Sequence, residues 1–197
     1  WQIATTLPKQ VPNFEALIDY PVEIGVFEKH TFEVRGVPHH LVVSGQHYGN
    51  VTRLCHDLQK ACDYFHQLFG EPNPLEGYTF LLSLSQNAHG GLEHRDSSAC
   101  QASRYQMPSA EGEYSEQSLS LLSLLTHEYF HLWNVKRIKP LVFQPYPLLE
   151  KALTRQLWAF EGITAYYDDL SLIRSKVISP EQYCKVLAKS IQQLHHG

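Results

Sequence analysis

His127, Glu128 and His131 spell H-E-x-x-H within the run L-L-T-H-E-Y-F-H-L-W. On an α-helix, residues four apart lie one above the other on a single face, so two imidazole nitrogens can meet one metal ion. Glu128 sits about 100° round the helix from His127, beside an open coordination position rather than in it. A carboxylate there can take a proton from water activated by the metal, which is how such sites hydrolyse amide bonds. Helical histidine pairs also occur without metal, and this chain has 12 histidines, so the motif alone leaves both readings open.

A catalytic zinc takes three protein ligands and keeps one position free. Glu161 is the best third candidate. It is a lone acid in W-A-F-E-G, on the helical pattern that follows the motif helix across a proline-containing loop. Antiparallel packing of those two helices would bring it to the histidines. Its aromatic neighbours predict a sheltered carboxylate, and a sheltered charge is kept only when paired or metal-bound. Asp168, two turns further along the same face, is placed to accept the second N–H of a ligating histidine, with Asp169 in reserve. An exposed acidic pair fits the same two residues.

The elements that must position these groups can be read from pattern. Val51 to Phe69 carries apolar residues at i, i+3, i+4 spacing, and Gly70 is suited to end that helix. Val22 to Val26, Thr31 to Val34 and His39 to Val43 read as consecutive strands of a small antiparallel sheet. His39 and His40 then point to opposite faces and cannot chelate together. Tyr78 to Leu84 reads as a buried strand, whereas the serine-rich stretch 96–118 reads as a surface loop. The paired glycines Gly90 and Gly91 fit either a plain turn or a place of close approach. Leu119 to about Asn134 is the motif helix, with Ser115 or Ser118 as its cap. Leu148 to about Arg174 is a second long helix, and Ser179-Pro180-Glu181 opens a third that reaches His195-His196. Lys136, Arg137 and Lys139 answer the helix dipole or the solvent.

This organisation divides the chain into an entry arm (1–20), a β-rich part with one long helix (21–118) and a helical metal-binding part (119–197). With 197 residues, 43% hydrophobic and 18% charged, the chain suits a single domain with its own core. A net charge of −4 speaks against nucleic acid or acidic membrane as main partner. No apolar run approaches the length of about 18 residues that a membrane span needs. Cys55, Cys62, Cys100 and Cys184 lack zinc-site spacing; Cys55 and Cys62 read as small buried apolar groups, and reduced thiols fit a cytoplasm. A start at Trp1 rather than methionine reads as a processed or excised piece.

Longer motifs add a family likeness. H-E-Y-F-H-L-W-N-V-K-R-I-K-P, followed by F-E-G-I-T-A-Y-Y-D-D-L, closely resembles the glycyl aminopeptidase family of zinc metallopeptidases. W-Q-I-A-T-T-L-P and D-Y-P-V-E-I-G resemble that family's run into its catalytic domain. The resemblance implies an α+β, thermolysin-like zincin domain: a small twisted sheet with an exposed edge strand, packed on a helical region. It implies one zinc on His127, His131 and Glu161, Glu128 as general base, and a peptide as substrate. G-G-L-E-H resembles the G-x-M-E-N strand of the related aminopeptidase N family. By that likeness Glu93 binds the substrate's free α-amino group, and Gly90 and Gly91 line the strand along which the peptide lies. Leu92 and His94 depart from the pattern. F-E-G-I-T-A-Y-Y-D resembles N-E-G-F-x-x-Y-x-E, with Asp168 at the final acid. Removal of small N-terminal residues such as glycine or alanine is the activity implied. An endopeptidase using the same zinc, or a non-catalytic peptide-binding module, are the alternatives. In aminopeptidase N-like enzymes a tyrosine well beyond the zinc glutamate helps stabilise the oxyanion; Tyr129, Tyr146, Tyr166 and Tyr167 are candidate substitutes but none matches that motif, so the chain reads as a catalytic-core fragment lacking further helices and any PDZ module.

Overall fold

A hairpin, one crossover helix and three further strands build the sheet that carries the site. Phe27–Val34 (β3) and Val37–Ser44 (β4) form a hairpin, and Val51–Phe69 (α2) then carries the chain over to Tyr78–Ser85 (β5), which pairs parallel to β4. Parallel neighbours need such a crossover. His89–Glu93 (β6) and Ser97–Ser103 (β7) follow, and β7 inserts beside β5, leaving β6 on the sheet's edge in the order β3-β4-β5-β7-β6. The structure, a computed structural model, describes residues 1–196.

Period-2 alternation sorts the sheet's side chains. Leu41, Val43, Phe80, Leu82, Cys100 and Ala102 belong to the large core, together with α2 and the motif helix Glu116–Phe130 (α3). Val42 and Leu81 point the other way and pack with Ala4. Ala4 lies on Gln2–Thr5 (β1), which pairs antiparallel with Val22–Gly25 (β2) in a separate two-stranded sheet. The short helix Phe14–Ile18 (α1) stands between them, its first turn capped by Asn13, which accepts the Ala16 N–H at 2.8 Å. Ile163–Arg174 (α4) packs against α3, and Pro180–His196 (α5) follows. Ser179 and Gln182 cap α5 reciprocally, at 3.2 and 3.3 Å.

Several expectations need correction. The entry arm holds two regular elements, β1 and α1, with Pro8 and Pro12 in the link between them. Val22 to Val26 leaves the main sheet for β1, and that main sheet is mixed rather than antiparallel. The stretch 96–118 holds a central strand, β7. Its Ser98, Cys100 and Ala102 are buried because small side chains fit beneath α3, Ser97 is buried on the opposite face beside Thr6, and their small, polar character disguised them as loop. The second long helix does not begin at Leu148. Leu149 and Leu153 are exposed with no facing surface, and Thr154 accepts the Gln156 N–H at 3.1 Å in a local turn. Without burial to offset nucleation, helix starts only near Trp158. The motif helix closes at Phe130, with His131 as its C-cap. Among the described residues all four cysteines are free, and no helix is long and apolar enough to cross a membrane.

Candidate active site

Each histidine of the motif is held by its Nδ1. His127 Nδ1–H donates to Asp168 Oδ2 on α4 at 2.9 Å, and His131 Nδ1–H donates to the Asn134 carbonyl at 2.7 Å. These bonds fix the tautomers and leave both Nε2 atoms unclaimed by the backbone. They converge on one oxygen, Glu161 Oε2, at 3.3 Å from His127 and 3.7 Å from His131. With metal–ligand bonds of about 2.1 Å, a tetrahedral zinc has ligand–ligand edges of about 3.4 Å. The donor set therefore fits zinc in both spacing and chemistry.

Glu161 departs from expectation in one respect. Its side chain is 56% exposed, and Trp158 beside it is exposed as well, so no aromatic shelter holds the carboxylate. It stands in a single π-helical turn, Trp158–Gly162, ahead of α4. Turns of that kind recur at functional sites because they re-aim a side chain.

Asn134 was not singled out from sequence. Its carbonyl fixes His131, while its side-chain amide donates to the Ala159 carbonyl at 3.0 Å and to Thr164 Oγ1 at 3.1 Å. One residue thus ties the end of the motif helix to the turn bearing Glu161. The sequence held no specific signal for it beyond a polar residue shortly after the motif. Arg137 likewise is more than a dipole partner. Its guanidinium binds the Leu132 carbonyl at 2.8 Å and Asp96 at 3.1 Å, while Lys136 pairs with Asp19 of the arm at 2.6 Å.

Edge strand β6 approaches from the other side. Gly91 is paired with Cys100 and Glu93 with Ser98, so both face the motif helix. A Cβ on Gly91 would lie 2.2 Å from Glu128 Oε1, whereas one on Gly90 would meet nothing within 4 Å. Gly91, not Gly90, is the glycine the packing demands. Glu93, Glu128 and His131 offer ligand atoms within 4.8 Å of one another. Glu128 is buried, and its Oε2 has no hydrogen-bond partner among the described residues. Burial pushes its carboxyl up to about 7; His127 and His131 oppose this and Glu93 adds to it. The imidazoles of His127 and His131 beside it hold Glu161 far below the usual carboxylate range. Beyond Glu93 lies an open cavity lined by Ile18, Asp19, Leu92, Lys136, Phe143 and Tyr146, among others.

Residues 120–197, which include both histidines and Glu161, match the M61 glycyl aminopeptidase family. The likeness to glycyl aminopeptidases holds. A crystal structure of an aminopeptidase N family protein from Idiomarina loihiensis is also similar, at 41% identity and a TM-score of 0.88 over 92% of this chain. The chain spans only 33% of that protein's length. No curated protein matches it. The glycyl aminopeptidase likeness thus rests on the helical part, and the structural likeness extends it to the mixed α+β fold.

Proposed function

We propose that this chain is the catalytic region of a zinc-dependent aminopeptidase with a thermolysin-like zincin arrangement. The entry arm, the β-rich part and the helical part frame one groove between β6 and α3. The carrying observation is the convergence of His127 Nε2, His131 Nε2 and Glu161 Oε2 beside the unpartnered carboxylate of Glu128. When bound there, zinc supplies a Lewis acid that polarises a carbonyl and lowers the pKa of water toward about 7.

The protein's own groups do the rest. Glu128 accepts the proton of the attacking water and returns it to the leaving amine, which its unpartnered Oε2 leaves it free to do. Asp168 and the Asn134 carbonyl hold the two imidazoles in their ligating tautomers. Glu93 is the carboxylate for a protonated α-amine, and the peptide's first residue lies toward the cavity beside it. Small first residues such as glycine or alanine are the expected preference.

Hydrolysis of a free alanyl peptide and its N-acetylated form by the purified chain tests the assignment. Cleavage of the free peptide alone is expected, and Glu128→Gln should abolish it while zinc content stays near one per chain. Equal cleavage of both peptides would make the enzyme an endopeptidase and remove Glu93 from amine binding.

A further inference from the structure

A second donor set shares one atom with the first. Ligand atoms of Glu93, Glu128 and His131 lie within 4.8 Å of one another, as do those of His127, His131 and Glu161. His131 Nδ1 is engaged on the Asn134 carbonyl, so both sets depend on a single nitrogen, Nε2. One ion can therefore occupy one set or the other, and His131 cannot serve two ions at once.

The second set is more than neighbouring acids. Glu128 is only 5% exposed, and its Oε2 is buried without a hydrogen-bond partner. A buried carboxylate oxygen left unpaired is costly, and a cation is the partner that relieves it most. Glu93 reaches the same space from the edge strand, because its register with Ser98 turns it toward α3. Gly91 keeps that space open between them, since a side chain there would strike Glu128.

We propose that Glu93, Glu128 and His131 form a second, weaker station for a divalent cation, alternative to the first. An ion there ties up the carboxylate assigned to water activation and the one assigned to the substrate amine; this consequence rests on the proposed peptidase reading. Two carboxylates and one imidazole make an oxygen-rich set beside the two imidazoles and one carboxylate of the first. Oxygen donors suit manganese better than nitrogen donors do. The second station thus discriminates less strongly for zinc against manganese.

The test is calorimetric titration of the metal-free chain with zinc, and separately with manganese. Wild type, Glu161→Ala and Glu161→Ala/Glu93→Gln are compared, each with circular dichroism to verify folding. Glu161→Ala is expected to bind one zinc at least about tenfold more weakly than wild type, with zinc preferred less over manganese. Adding Glu93→Gln should weaken zinc by about a further tenfold. Zinc affinity unchanged by Glu93→Gln in the Glu161→Ala background would overturn the second station. Glu161→Ala binding zinc as tightly as wild type would instead refute Glu161 as a ligand of the first set, and the Glu93 comparison would still decide the second.

Discussion

Gly91 and Glu128 fit only because one of them has no side chain. Substituting Gly91 by alanine puts a methyl within 2.2 Å of Glu128 Oε1, and the carboxylate has to move. A displacement of about 1 Å in a reacting group can cost about 100-fold in rate. Gly91→Ala is therefore expected to lower kcat by about that factor while zinc content stays unchanged, because His127, His131 and Glu161 are untouched. Steady-state kinetics beside metal analysis checks it, and an unaltered kcat would show that Glu128 has room to spare. At this scale the sequence was informative where chemistry constrains spacing. The histidine pair, Glu161 and Asp168 were all named from pattern, and the structure brings their atoms together. Which of two adjacent glycines faces Glu128 was not legible, because that depends on strand register and not on residue type.

Between elements, the decisive joint is Asn134, which links the end of α3 to the turn ahead of α4. Asn134→Ala leaves the His131 bond intact, since that uses the backbone, but removes the donors to Ala159 and Thr164. Unpaired buried acceptors cost roughly 1–3 kcal/mol, and loss of an orienting contact typically weakens metal binding by about 10–100-fold. Both effects are expected together, read by urea unfolding and by zinc titration. Loss of stability with unchanged zinc affinity would confine Asn134 to the scaffold. Helix α2 was legible to the residue because its apolar stripe has a single period. Strand β7 was hidden by serine, alanine and glutamine, which a narrow buried place beneath a helix favours and a loop favours equally. The apolar spacing at Leu149 and Leu153 imitated a helix face that no neighbouring element covers.

Across the whole molecule, sheet, crossover helix and motif helix meet at Tyr129. Its hydroxyl lies 2.8 Å from His39 Nε2 on β4 and 2.9 Å from His66 Nε2 on α2. A hydroxyl donates one proton, and His39 already donates Nδ1–H to the Val37 carbonyl at 3.0 Å. Neutral His39 must therefore accept from Tyr129, while His66 donates to the Tyr129 oxygen. A second proton on His39 would set two donors against each other in the core. Burial accordingly pushes its imidazole down to about 4, and burial lowers His66 too. The unfolded chain takes up that proton near the ordinary value of about 6.5, and the folded chain resists until about 4. Between those values the unfolded state binds more protons, so folding stability is full above pH 6.5 and is lost as pH falls toward 4. The shift is worth about 3 kcal/mol over that window. Replacing His39 with glutamine removes the titrating group but retains an amide that can accept from Tyr129. The variant should be less stable at neutral pH and lose about 3 kcal/mol less than wild type on acidification. Urea unfolding of both proteins at neutral and mildly acidic pH measures the difference. Parallel losses in the two would mean that the acid sensitivity of this fold resides elsewhere than under the motif helix.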